Sequence, residues 1–196
     1  RHTFTRRTEI EALQCYNNNK QTFSNLLRYS VVPPSVVLAI IQVETGCGKN
    51  MGRDSVLYRL SRLGGIGLPE NLVFNKRYNR TLYRDLRPEE VETRAKWLEE
   101  TFIPHIVATF DMAKNLEVHP LDIRGSSAGA IGIPQFLPGN VSKYGVDGNS
   151  DLKIDVYHAP DAIPSVANFL VSHGWTSKNP GANAKERAVR GYNNSD

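Results

Sequence analysis

The segment Val36-Val37-Leu38-Ala39-Ile40-Ile41-Gln42-Val43 is apolar at all but one position, and it runs into Glu44-Thr45-Gly46-Cys47-Gly48. A helix built from it has no polar stripe, so the pattern predicts burial on nearly every face. Pro34 suits the first turn of that helix, where its missing N–H is not needed. Gly46 and Gly48 supply the stop. A carboxylate at the end of a buried helix meets a low dielectric that disfavours its charged form. A protein can use such a glutamate, protonated near neutral pH, as a general acid. The competing reading makes Glu44 a boundary carboxylate pointing into water, which is the commoner place for a glutamate.

The rest of the chain is patterned as helix. Residues Thr5 to Tyr29 form one helix with a polar interruption at Asn17-Asn18-Asn19. They make an N-terminal helical segment, 1–32, ahead of a domain over 33–196. A shorter helix spans Asp54 to Leu63, with Asp54 as its N-cap and Gly64-Gly65 as its stop. Residues 65–87 are rich in Gly, Asn, Arg and Tyr and are expected to be a long loop with weak helical turns. Pro88 opens a long helix ending near Asn115, and Pro104 inside it predicts a kink or break. Asp161 to His173 is a helix with Ala162, Val166, Phe169 and Leu170 on one face, stopped by Gly174. A last short helix covers Ala184 to Arg190. Clean strand alternation is absent, so the expected class is all-α.

The 196 residues fit a single domain, and 40% hydrophobic with 22% charged residues describe a folded globular chain. A net charge of +4 and a pI near 9.1 favour polyanionic partners: nucleic acid, anionic lipid or an acidic cell-wall polymer. The basic residues are scattered, as in Arg6-Arg7, Lys76-Arg77 and Arg84, without the clustered or aromatic-interleaved pattern of a nucleic-acid face. No segment has the ~18 apolar residues of a membrane span. The chain starts at Arg1 rather than Met, which is compatible with a leader or membrane anchor outside it. Cys15 and Cys47 lack metal-ligand spacing; one disulfide and two free thiols both remain open.

Residues 124–138 read Arg-Gly-Ser-Ser-Ala-Gly-Ala-Ile-Gly-Ile-Pro-Gln-Phe-Leu-Pro. Small residues at this density let a second backbone or a ligand come close. Gly125-Ser126-Ser127-Ala128-Gly129 also fits the G-x-S-x-G elbow, and Ser127, Asp161 and His173 could be written as a triad. That elbow needs a buried strand before the serine, and residues 117–124 do not make one.

Taken together, Glu44-Thr45-Gly46-Cys47-Gly48-Lys49 and the 125–138 stretch resemble the membrane-bound lytic transglycosylase B family, lysozyme-like enzymes of bacterial cell walls. Lys143 to Gly148, Asp161 to Leu170, His173-Gly174-Trp175 and the terminal Tyr192-Asn193 continue the likeness in order. The resemblance implies a mainly α, lysozyme-like domain with a glycan groove, working as a monomer in the periplasm or cell envelope. Its partner would be the glycan strands of peptidoglycan, with no nucleic acid. The implied reaction cuts the β-1,4 bond between N-acetylmuramic acid and N-acetylglucosamine and leaves a 1,6-anhydro end. Glu44 would be the single general acid and base. Ser126 matches the serine that hydrogen-bonds this glutamate, Gln135 a groove residue, Phe169 a sugar-facing aromatic, and Tyr192 with Asn193 the pair beside the reactive sugar.

No cofactor is required by that chemistry. A structural Ca2+ or Na+ is suggested by Asp147, Asn149, Asp151, Lys153 and Asp161, which resemble an EF-hand-like loop, although Leu152 stands where such a loop has Gly and His158 where it has Glu. The rival expectations are a lysozyme-type hydrolase on the same fold and a non-catalytic glycan-binding module.

Overall fold

The computed structural model describes residues 5–82 and 87–193. Among them nine α-helices carry the fold: α1 (Arg6–Asn18), α2 (Lys20–Tyr29), α3 (Pro34–Thr45), α4 (Val56–Gly64), α5 (Pro69–Leu82), α6 (Pro88–Leu116), α7 (Pro138–Tyr144), α8 (Ala159–Ser172) and α9 (Ala182–Asn193). A single two-residue antiparallel ladder pairs β1 (Asp54–Ser55) with β2 (Arg124–Gly125), Asp54 opposite Gly125 and Ser55 opposite Arg124. The class is mainly α, as the pattern requires.

Local chemistry explains the element boundaries. Thr5 and Thr8 cap α1 reciprocally, each side chain accepting from the other's backbone amide. Asn19 then breaks the N-terminal helix in two, its side-chain amide donating to Cys15 O at 2.9 Å. Two expectations need correcting. Asp54 does not cap α4; it pairs in the ladder, Ser55 takes the N-cap position, and the Asp54 carboxylate binds Arg59 at 2.9 Å. Residues 69–82 are a helix, not a loop, started by Pro69 with Glu70 in its first turn. Helix α6 runs through Pro104 to Leu116 as one element.

The burial pattern reverses the roles of α3 and α8. Along α3, Val37, Ile41, Gln42 and Thr45 are buried, but Ser35, Ala39 and Val43 are exposed on a row at i, i+4, i+8. Helix α8 is the one enclosed on nearly every side: Asp161 through Ala167, Phe169 and Leu170 are all buried. Hydrophobicity alone shows that both belong to the core; it does not say which lies at the centre.

Two cores meet at α8. The first joins Phe23 and Leu26 of α2, Val37 and Ile41 of α3, Ile163, Val166 and Leu170 of α8, and Ala188 of α9. The second joins Val56 and Leu60 of α4, Met112 of α6, Ile131, Phe136, Val141 of α7, and Phe169 of α8. Residues before position 33 therefore contribute to the same core as those after it.

Cys15 and Cys47 form a disulfide across 32 residues, tying α1 to the turn that follows α3. Closing a loop of that length removes unfolded-state entropy worth roughly 3–4 kcal/mol. Replacing both cysteines by serine is expected to lower unfolding free energy by about 2–4 kcal/mol, read as a shift of the urea midpoint at unchanged slope.

Candidate active site

Glu44 lies in the last turn of α3 and is half-buried. The turn beyond it is tightly specified. Gly46 and Cys47 both adopt the left-handed conformation, φ +58° and +60°, and their amides donate to Gln42 O and Ile41 O, each at 3.0 Å. Glycine takes that conformation freely; cysteine does not. Cys47 is held there while its sulfur is bonded to Cys15.

The second motif folds against this turn as a chain of tight bends. Ser126 N donates to Ala130 O at 2.8 Å, and Ser126 Oγ accepts from Ala130 N at 3.1 Å. The serine hydroxyl thus caps its own turn and keeps a proton to donate. Isolated bridges pair Gly125 with Ile131 and Ile131 with Phe136, which folds the segment back on itself. Gly132 has φ +67°, and a Cβ there would sit 2.4 Å from Val156 O, so no other residue fits without moving the backbone.

Gln135, at φ +52°, turns its side-chain amide inward and donates to Gly132 O at 2.9 Å and Met51 O at 3.3 Å. Its Nε2 therefore braces this segment against the 48–52 loop. Tyr192, from α9, donates its hydroxyl to Pro134 O at 2.7 Å. Burial pushes the Tyr192 phenol well above its ordinary range, and the charge of Glu44 pushes in the same direction. The phenol therefore stays protonated and a donor throughout neutral pH.

Phe169 is 4% exposed and has almost no surface to offer a sugar. It stacks on His173 at 3.9 Å between ring centroids and meets Tyr192, Tyr144 and Phe136 at 4.9, 4.8 and 5.5 Å. This cluster lies behind Tyr192 and fixes it. Asn193 closes α9 in the backbone; its side chain lies outside the described residues. Ser127 has no triad: Asp161 in the first turn of α8 and His173 at its C-cap are twelve residues apart, about 18 Å along a helix axis.

Residues 147–161 form a loop whose oxygens face its own amides. Asp147 accepts from Asp151 N and Leu152 N, Asn149 from Asp151 N, and Asp151 from Lys153 N, while Asp161 accepts from Gly148 N and Asp155 N. Lys153 also donates to Glu117 at 2.9 Å. Burial raises the Asp161 carboxyl from its ordinary value despite those two bonds. Among the described residues no three His, Cys, Asp or Glu side chains converge where a metal ion could sit. A cavity of about 820 Å³ opens beside this loop, lined by Ile123, Arg124, Asp155 and Tyr157 among others; Glu44, Gln135 and Tyr192 do not line it.

The transglycosylase SLT domain profile matches residues 1–194. The chain belongs to the transglycosylase SLT domain family. It is 35% identical over 144 residues to the membrane-bound lytic murein transglycosylase B of Escherichia coli K12, an alignment covering 74% of this chain and 32% of that protein. The structure resembles that of the E. coli lytic transglycosylase SLT35 in complex with bulgecin A, at a TM-score of 0.65 and 27% identity over 88% of this chain and 46% of that one. It also resembles the soluble lytic transglycosylase SltB1 of Pseudomonas aeruginosa, at a TM-score of 0.70 and 27% identity over 90% of this chain and 50% of that one. The chain spans from a third to a half of the length of these relatives.

Thr45 and Pro134 were not singled out from sequence, because a threonine ending a helix and a proline in a loop are unremarkable until their partners are known. The order of motifs in this SLT domain was the signal that could be read. Leu152 carries a cost that can be measured. It holds φ +71°, a left-handed conformation, with its side chain 89% exposed, so it packs against nothing. Leu152→Gly should raise stability by up to about 1 kcal/mol in urea unfolding, because glycine escapes the left-handed penalty.

Proposed function

We propose that this SLT domain is a peptidoglycan lytic transglycosylase with Glu44 as its single acid and base. The observation that carries the proposal is the placement of Glu44. It is half-buried in the last turn of α3, next to Thr45, whose hydroxyl lies 3.0 Å from Ile133 O in the second motif, in a chain of this family. In the proposed step Glu44 protonates the oxygen between N-acetylmuramic acid and N-acetylglucosamine, and the bond from C1 to that oxygen breaks. The C6 hydroxyl of the muramic acid closes on C1, and the Glu44 carboxylate takes the hydroxyl proton. No water is consumed, and the acid form of Glu44 is regenerated. Assistance by the substrate's own N-acetyl group makes a second catalytic carboxylate unnecessary.

The lytic murein transglycosylase B name of the relative at 35% identity supports this substrate class. The disulfide supports an oxidising compartment, as in the envelope outside the cytoplasm. Among the described residues no helix is long and apolar enough to cross a membrane. The basic balance of +4 suits a polymer that carries carboxylates, and a monomer suffices for the chemistry.

Mass spectrometry of muropeptides released from purified sacculi tests the activity. The expected product is one water lighter than a hydrolysis product and has no reducing muramic acid. Reducing products would make the domain a lysozyme-type hydrolase; retention without release would make it a binding module. Glu44→Gln should lower turnover by at least about a thousandfold while folding and glycan retention persist.

We also propose that the 147–161 loop takes Ca2+ or Na+ for structure alone. A carboxylate oxygen that accepts one amide still has a lone pair for a cation. SLT35 has been solved in complex with calcium, at 27% identity to this chain. Millimolar calcium should then raise the melting temperature. An unchanged melting temperature would rule the site out.

A further inference from the structure

The residue after Glu44 is a threonine only 3% exposed. Its Oγ1 accepts from Gly48 N at 2.9 Å and lies 3.0 Å from Ile133 O and 3.3 Å from Ile41 O. A hydroxyl has one proton to give. The contact to Ile41 is the ordinary back-bond of a threonine within its own helix. The contact to Ile133 is shorter and spans 88 residues, joining the end of α3 to the second motif.

That contact belongs to a set. Three consecutive carbonyls each receive a side-chain donor: Gly132 O from Gln135, Ile133 O from Thr45, and Pro134 O from Tyr192. Ile133 is fixed on its other side as well, its amide donating to Val156 O at 2.9 Å. Gly48, which donates to Thr45, presses on the same residue: a Cβ at Gly48 would lie 3.2 Å from Ile133 Cγ1. Of the three donors, Thr45 is the one bonded through the chain to Glu44.

We infer that Thr45 is a positioning residue, whose hydroxyl sets the last turn of α3, and hence the Glu44 carboxylate, in register with the Gly132–Pro134 segment. The inference rests on Glu44 being the acid and base. Valine has the shape of threonine without the hydroxyl. It would leave the Ile133 carbonyl and the Gly48 amide without this partner in a buried place and would release the end of α3 to shift. A displacement near 1 Å at a reacting group costs on the order of a hundredfold in rate.

The test compares Thr45→Val, Thr45→Ser and Glu44→Gln on the same sacculi, each assayed well below its melting temperature. Thr45→Val is expected to lower kcat by about ten- to a hundredfold with KM within about twofold of wild type. Thr45→Ser keeps the hydroxyl and loses only the methyl; it should hold kcat within about threefold of wild type. Thr45→Ala, which also lacks the donor and needs less room, reads the same loss should the valine variant not fold. A merely structural role gives another pattern, with serine falling as far as valine and activity following the melting temperature; that result would overturn the inference. So would wild-type kcat in Thr45→Val while Glu44→Gln is dead, and this outcome leaves the function standing. An active Glu44→Gln removes the acid and base assignment first and the positioning role with it.

Discussion

Three backbone carbonyls in a row, at Gly132, Ile133 and Pro134, lie outside the helices and the ladder; Gly132 O accepts from Gln135 N at 3.3 Å within its own bend. Carbonyls packed into a protein must still be satisfied, or each costs about as much as a lost hydrogen bond. Here side chains donate to all three, and they come from three places: Gln135 in the turn itself, Thr45 at the end of α3, and Tyr192 in α9. Satisfying one short segment therefore ties together the first motif, the second motif and the last helix. The candidate catalytic turn and the fold that holds it are parts of one hydrogen-bonded network.

That network has a stiff backing. Helix α8 passes between the two cores and is buried on almost every side, so its position is set by packing from both. Phe169 carries this rigidity outward through its stack on His173 and its edge contact with Tyr192. On the opposite side of the Glu44 turn, the Cys15–Cys47 bond fixes the chain to α1. Glu44 is thus bracketed within three residues by a hydrogen bond to one half of the molecule and a covalent bond to the other.

Much of this was legible in the residues. Pro34, Gly46, Pro88 and Gly174 punctuate the helices where the structure does, because their backbone constraints act locally. The helix at 69–82 is only weakly legible, because Gly64, Gly65 and Gly67 and a polar composition outweigh its faint periodicity; packing against α6 completes it. Asp54 was read as a cap because caps are local, whereas its ladder partner Gly125 is far along the chain. At Phe169 the resemblance implies a sugar-facing aromatic and a core role is equally compatible with the residue type; the structure buries the ring, because sequence marks an aromatic but not whether it faces the groove or supports it. Tyr192 shows the converse. The resemblance puts it beside the reactive sugar, and its hydroxyl donates to the backbone carbonyl of Pro134.

Tyr192 has a consequence for how such a domain comes into being. Its bond to Pro134 spans 58 residues, and Glu44 lies earlier still. A chain made from its N-terminus exposes α3 and the second motif well before α9 exists. Until α9 arrives, Pro134 O waits for its donor and Phe169 for the ring that covers it. The order of synthesis therefore separates the two: the glutamate is made early, and the donor to Pro134 O arrives only with α9.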